Sequence, residues 1–272
     1  MADDWTTKIN TGVPNPARIY DYFLGGKDNF PADRDVADQV LAIAPVARDV
    51  VEDNRAFLRR VVRHLTGEAG VRQFIDLGSG LPTQGNVHEI AQEVAPDARV
   101  VYVDNDAMVV THSRALLAGD NTVAIEADLR EPEAVVGHPE LRELIDFEQP
   151  IALLLMAILH FIPDDQDPYG IVARFRDALP AGSHLAISHG TRDIPVRPDM
   201  SPEAMAEMGT KVERLYQLTT SSLVTRTRAQ VERFFDGFDL LEPGLVEIQL
   251  WRPDGTDPLL PGGFYGGVGR RR

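Results

Sequence analysis

Two periods run through the apolar positions of this chain, and they alternate. A 3.6-residue spacing marks helices first: Ile19, Tyr20, Phe23 and Leu24 share a face until Gly25 and Gly26 end it. A second helix follows from Pro31 to about Ile43. A third runs from Pro45 toward Leu65, with Val46, Val50, Phe57, Val61 and Leu65 on its buried side. Gly67 and Gly70 then release the chain into a short apolar run, Phe74-Ile75-Asp76-Leu77, that reads as the end of a buried strand.

The pattern then repeats as strand and helix. Val87, Ile90, Ala91 and Val94 recur at helical spacing, Arg99 to Asp104 (RVVYVD) is a strand, and Asp106 caps a helix carrying Met108, Val109 and Leu117. Further strands are predicted at 122–128, within the apolar run 151–162, at 183–189, at 244–251 and at 263–270. Helices are predicted at 168–179, from Ser201-Pro202 onward, and at 228–235. The run 151–162 falls short of the roughly 20 residues that span a bilayer, so it reads as a central strand covered on both faces. Seven strands result, five of them parallel through helical crossovers and two closing antiparallel. This is an α/β sheet with helices on both faces, preceded by about seventy residues of helical cap.

The residues that change the picture are at 74–82, FIDLGSGLP. Gly78, Ser79 and Gly80 allow a sharp turn whose backbone can lie against a ligand, and a helix follows. Asp104 ends the next strand 24 residues after Gly80, where such folds place the carboxylate that accepts ribose hydroxyls. A dinucleotide fingerprint needs a third glycine where Thr83 stands. Asp76 also sits awkwardly beside a pyrophosphate, but suits the ammonium and sulfonium of S-adenosylmethionine.

Asp76, Gly78 and Gly80, followed by Pro82, resemble the acid-x-Gly-x-Gly-x-Gly motif of class I S-adenosylmethionine-dependent methyltransferases, with proline at the last glycine. More narrowly, PNPARIYDYFLGGKDNFPADRD at 14–35 is similar to the signature of an actinobacterial methyltransferase family, and the similarity extends over nearly the whole chain. The resemblance implies a Rossmann-like sheet in the order 3-2-1-4-5-7-6, with S-adenosylmethionine as cofactor. It implies one domain, composed of a cap or lid (1–70), a cofactor-binding core (71–190), and a lid helix with the antiparallel strands (191–272).

The same resemblance assigns cofactor residues. Asp76, Gly78, Ser79 and Gly80 form the first loop, Asp104 and Asn105 the ribose end, and Asp128 with Leu129 the adenine end. From the N-terminal segment, Tyr20, Gly25, Gly26 and Lys27 are expected to fold over the cofactor, the glycine pair as a flexible turn and the lysine as a charge for the methionine carboxylate. LHFIPDD at 159–165 resembles the motif that lines the space between methyl donor and acceptor.

Composition narrows the partners. A net charge of −15 argues against a nucleic-acid acceptor and leaves a small molecule as the expected substrate. The chain has no cysteine, so thiol nucleophiles and thiolate metal sites are excluded, and the histidines show no metal-binding spacing. The opening residues lack an apolar signal region, and the cytoplasm is the expected compartment, with no membrane association. His160, His189 and Tyr20 are the candidates for proton handling during in-line methyl transfer. The methionine stripe Met205, Met208, Val212, Leu215, Tyr216 reads as packing or as an adaptable pocket wall. Two alternatives stay open: a protein that binds S-adenosylmethionine without catalysis, and a nicotinamide oxidoreductase.

Overall fold

The apolar runs form the strands β1 (Gln73–Leu77), β2 (Arg99–Asp104), β3 (Thr122–Glu126), β4 (Ala152–Met156) and β5 (His184–Gly190), all pairing in parallel. The computed structural model describes residues 10–82, 85–116, 119, 121–193, 200–255 and 262–272. Thr83, Leu117 and part of the stretch before Ser201 lie outside the described residues. All five residues of β1 and all seven of β5 are buried, as strands covered on both faces must be.

Register fixes where the loops meet. Leu77 pairs with Val103 and Asp104 with Glu126, so the carboxyl ends of β1, β2 and β3 lie side by side. The crossover helices are α4 (Val87–Val94), α5 (Ala107–Leu116), the short α6 (Pro132–Val136) and α7 (Pro139–Leu144), and α8 (Pro168–Ala178). On α4, Val87, Ile90 and Ala91 are buried as their spacing predicts, while Val94 at the helix end is exposed.

The sheet order is β3-β2-β1-β4-β5-β8-β6, so the last strand, β8 (Phe264–Arg271), runs antiparallel between β5 and the edge strand, as expected. The identity of the edge strand is corrected. It is β6 (Phe238–Leu240), and the expected strand at 244–251 contributes only β7 (Val246–Glu247), an eighth strand paired with β8. Beyond β7 the chain tightens into a 3₁₀ turn at Ile248–Leu250 that packs on α3 (Ala47–Gly67). There Arg60 donates Nε to the Trp251 carbonyl at 3.0 Å and Nη2 to the Ile248 carbonyl at 2.7 Å, and the Trp251 ring meets Phe57 edge-on at 5.6 Å. Anchoring two buried carbonyls on a charged donor outweighs extending a two-residue pairing.

Helices α1 (Pro16–Phe23), α2 (Pro31–Ile43) and α9 (Pro202–Tyr216) form a small core of their own, joining Ile19, Phe23, Val36, Ala37 and Val40 to Tyr216. The remaining helix, α10 (Arg228–Glu232), is capped by Thr227 and continues into a 3₁₀ turn ending at Phe235. No described helix is long and apolar enough to cross a membrane.

Candidate functional site

After Leu77 the chain turns through Gly78 (φ +68°) and Gly80 (φ +66°), a region that side chains rarely adopt. A β-carbon at Gly78 would also lie 2.3 Å from Ile158 Cγ1, so the turn presses directly on the loop after β4. The Gly78 and Ser79 amides donate to the Val103 carbonyl, and the Gly80 amide donates to Asp104 Oδ2 at 2.9 Å. Asp104 Oδ1 accepts from the Asp106 amide at 3.0 Å. The acid that ends β2 therefore shapes the glycine loop and holds the Asp106 amide just before α5.

Asp76 is 7% exposed. Burial pushes its carboxyl up to about 7, with Asp104 adding to the rise and the Arg55 guanidinium opposing it. Burial likewise raises Asp104 to about 6 against the hydrogen bonds of the Asp106 and Gly80 amides, with Asp106 itself adding to the rise. Two acids that resist ionisation thus stand together at the end of a parallel sheet, and both gain from a cationic or hydroxyl-rich ligand.

A cavity of about 680 Å³ opens above them. Of the residues expected at the site, it brings together Asp76, Gly78, Ser79, Gly80, Asp104, Asn105, Tyr20 and His160. Asp128 stands one layer behind: Asn105 Nδ2 donates to it at 3.3 Å, and Arg130, which does line the cavity, donates Nε to it at 2.9 Å. Burial works against its ionisation, but these hydrogen bonds prevail and hold the carboxyl below its ordinary value. Leu129 is buried in the core. Two wall side chains carry a buried polar atom without a partner, Ser79 Oγ and Asn54 Oδ1.

The two histidines differ. His189 is fully buried and is not in the cavity wall. Its Nδ1–H donates to the Gly190 carbonyl at 2.7 Å while Nε2 accepts from Arg226 at 3.0 Å, so both ring nitrogens are engaged. Burial, reinforced by Arg226, pushes its pKa down to about 3. The geometry gives His189 the part of a structural strut. His160 lines the cavity, but its Nδ1 accepts the Gly190 amide at 3.1 Å, which fixes the proton of the neutral ring on Nε2. Burial holds this histidine far below its usual pKa too. It offers an N–H donor and no spare lone pair. Tyr20 is similarly committed, donating to the Val51 carbonyl at 3.2 Å and accepting from Asn54 Nδ2 at 3.0 Å.

Arg226, which carries no motif in the sequence, organises this region. Its guanidinium is buried, and besides His189 it holds the Leu159 carbonyl at 3.1 Å, the Ile162 carbonyl at 2.9 Å and Asp164 at 2.6 Å. The turn that carries His160 is thereby pinned.

The glycine pair of the N-terminal segment sits in a hydrogen-bonded turn rather than an open one. Gly25 (φ +75°) ends α1 in a Schellman turn: its amide meets the Tyr22 carbonyl and that of Gly26 meets the Asp21 carbonyl. Asp21 Oδ2 takes the Asp28 amide and Asn29 Nδ2, and a β-carbon on Gly26 would lie 1.9 Å from Asp21 Oδ1. Gly26→Val is therefore expected to lower the melting temperature of the ligand-free protein, which thermal denaturation will show. A mutant that melts like wild type but binds poorly would restore the flexible-turn reading. Lys27 is exposed and, like Gly25 and Gly26, is absent from the cavity wall. The cap is held instead by polar residues that lie within the 14–35 signature but are not among the expected site residues. Asn15 caps α1 and donates Nδ2 to Asp106 at 2.9 Å, and buried Arg18 pairs with Asp33 at 2.8 Å. Polar side chains on the packed side of a short helix were the available signal.

A parallel sheet in this order, with a glycine turn after β1 and an acid closing β2 at the rim of one cavity, is the arrangement of the class I methyltransferases. The chain belongs to the S-adenosyl methyltransferase family, which matches it over residues 2–272. It is similar to a DUF574 family protein of Streptomyces avermitilis, at 41% identity over 96% of this chain and 99% of the other, with a TM-score of 0.89. A putative methyltransferase of Thermobifida fusca is 44% identical over 96% of each chain, with a TM-score of 0.86. The plantazolicin methyltransferase BpumL, solved with S-adenosylhomocysteine, shares the fold at 13% identity over 94% of this chain and 96% of its own, TM-score 0.52. A search of the curated proteins finds no match.

The protein is thus an S-adenosylmethionine-dependent methyltransferase, and its residues fit that cofactor. The orphaned Ser79 Oγ calls for a partner, Asp76 and Asp104 carry raised pKa values that a cation and a diol relieve, and open space where a β-carbon of Gly80 would lie leaves the backbone approachable there.

Proposed function

We propose that this enzyme methylates a small, largely apolar molecule, and that donor and acceptor meet inside the one cavity. The observation that carries the reading is the cavity's two-part wall. At one end stand Asp76, the glycine turn, Asp104 and Asn105; the rest is predominantly apolar, with Phe23, Val51, Leu58, Phe161, Tyr216 and Phe264 among its residues, and is interrupted by polar groups such as Tyr20, Asn54 and His160. The second part is contributed by the N-terminal cap, α9, the loop after β4 and the start of β8. Met208 and Val212 of the methionine stripe also face it, so that stripe serves packing and lining together. A chamber of this size and character suits a molecule of modest size, and the chain's charge of −15 opposes a polyanionic acceptor.

In this reading Asp76 receives the ammonium of the methionine moiety and Asp104 the ribose hydroxyls. Asp128, with Asn105 and Arg130, frames the adenine. S-adenosylmethionine supplies a methyl group on a good leaving group, the sulfonium. What remains for the chain is to align the acceptor in line with that methyl and to exclude water.

Two measurements test it. Asp104→Ala should weaken cofactor binding by about 1.5–3 kcal/mol in calorimetric titration, the range for hydrogen bonds to a charged group; affinity unchanged within about twofold removes Asp104 from the site. Incubating the enzyme with methyl-labelled S-adenosylmethionine and a cell extract should place label in the small-molecule fraction. Label found only in nucleic acid or protein would sink the proposed acceptor class.

A further inference from the structure

The chemistry of the acceptor atom follows from which groups the apolar chamber lacks and which it leaves unsatisfied. Methylating a hydroxyl requires a base as the bond forms. Of the described side chains around the chamber, His160 has given its lone pair to the Gly190 amide, and Tyr20 both donates and accepts within the cap. Asp21 is folded into the loop at Gly26–Asn29. Asp106 accepts from Asn15 and from the Met108 amide. Asp76, Asp104 and Glu126 stand on the neighbouring strand ends at the cofactor end of the wall, and burial raises the Tyr216 phenol far above its ordinary value, so it supplies no phenolate.

An acceptor that arrives already ionised, as a carboxylate or phenolate, would need a counter-charge in a largely apolar site. The described arginines in the cavity wall are engaged elsewhere. Arg18 pairs with Asp33, Arg130 with Asp128, and Arg55 donates to the Gly85 carbonyl beside Asp76. None is left over for an anionic acceptor.

What the wall does offer suits nitrogen. Asn54 is 3% exposed, and its Oδ1 is a carbonyl oxygen with no donor. Its Nδ2 donates to the Tyr20 phenol at 3.0 Å, which leaves Oδ1 as the open acceptor. The wall of the same chamber also carries a continuous series of rings: Tyr216 to Phe161 at 5.7 Å, Phe161 to His160 at 4.5 Å, and His160 to Phe264 at 5.4 Å between centroids. Phenyl and phenol faces of this kind stabilise a positive charge as it develops.

Resting on the small-molecule reading above, we propose that the acceptor atom is the neutral nitrogen of an apolar amine, which donates its N–H to Asn54 Oδ1 and becomes charged beside the Phe161–Tyr216 rings. The nitrogen lone pair attacks the methyl carbon as the carbon–sulfur bond breaks, and that bond's electron pair stays on sulfur. The products are a methylammonium and S-adenosylhomocysteine. Where the nitrogen still carries a hydrogen, the proton leaves to water after release, so no protein base enters the step.

The test uses the full-length enzyme, trideuteromethyl-labelled S-adenosylmethionine and a small-molecule extract, with tandem mass spectrometry locating the label. An N–CD₃ product supports the proposal; label on oxygen or carbon overturns it. No labelled product at all overturns the small-molecule reading beneath it, a distinguishable failure. With the purified acceptor, and with S-adenosylmethionine saturating at every pH so that cofactor binding does not enter, the break in log kcat/KM against pH should follow the amine's own pKa across amines of different basicity, and a break that stays fixed points to a protein base and overturns the proposal. Asn54→Ala should raise the acceptor KM about tenfold with cofactor Kd within about twofold, the size of one lost hydrogen bond. A changed cofactor Kd with an unchanged acceptor KM assigns Asn54 to the cofactor and overturns its part.

Discussion

Replacing Asp76 with asparagine should stabilise the ligand-free protein at pH 8 and at the same time lower its affinity for S-adenosylmethionine about tenfold to a hundredfold. Both effects come from one buried carboxyl. Burial raises it from an ordinary value of 3.8 to about 7, so the folded state favours the neutral acid. An acid raised in this way contributes stability that is complete below the unfolded value and is lost as pH climbs to the folded one. The ligand-free enzyme should therefore lose stability between about pH 4 and pH 7, by an amount on the order of 3–4 kcal/mol, because each tenfold change in an acid constant is worth about 1.4 kcal/mol. Asparagine keeps the shape without the titration. The variant should melt roughly 5–10 °C above wild type at pH 8 and at about the same temperature near pH 4.

Binding carries the opposite sign. A cationic ligand needs the carboxylate, so wild-type affinity should rise with pH up to about 7 and then level off, with proton release on binding below that point. Calorimetry in two buffers of different ionisation enthalpy reads the proton directly. Melting curves of wild type and variant that run parallel from pH 4 to 8 would remove Asp76 as the titrating group.

Much of this site is legible because strand ends are legible. Asp76, Asp104 and the glycine turn each follow an apolar run whose length and flanks define a strand, and parallel pairing with helical crossovers then aligns their carboxyl ends. The closing strands were harder. Val246, Ile248 and Leu250 alternate as a strand should, yet Ile248 is buried, Gln249 beside it is buried as well, and Leu250 is exposed. Alternation cannot reveal that Arg60, nearly two hundred residues earlier, will hold the carbonyls of that segment. The true edge strand, Phe238–Leu240, is too short to show a period.

Histidine roles were illegible for a different reason. His160 and His189 both lie near strand ends, and only the hydrogen bonds made by the Gly190 backbone and Arg226 determine which ring nitrogen is spent. In the cap, aromatic residues and the lysine stood out by type, whereas the residues that hold it are polar groups whose partners lie outside their own helix, Asp33 for Arg18 and Asp106 for Asn15. Asp106 reads as a helix cap, which it is, through the Met108 amide at 2.8 Å. Its second role, receiving Asn15 across 91 residues, is tertiary.

Arg18 supports the same junction of the cap with Asp106. Its guanidinium is 3% exposed, donates Nε to Asp33 at 2.8 Å and Nη2 to the Val13 carbonyl at 2.7 Å, and lies 3.9 Å from Asp106. Asp33 is wholly buried and accepts the Asn15 and Phe30 amides as well, so it ties the start of α1 to the start of α2. Arg18→Ala leaves that carboxylate buried without its cation, at a cost of about 3–5 kcal/mol. Arg18→Lys keeps a charge but not the planar fork that serves several oxygens at once, and should fall in between. Because α1 forms part of the cavity wall, the damage should be local before it is global. Hydrogen exchange in Arg18→Ala should accelerate across residues 16–43 while β1, β2 and β4 stay protected, and cofactor affinity should fall with it. In wild type, S-adenosylmethionine should slow exchange over residues 16–30. If Arg18→Ala instead loses protection evenly through the sheet, the cap and the core are one cooperative unit, and the cap cannot close or open over the cofactor by itself.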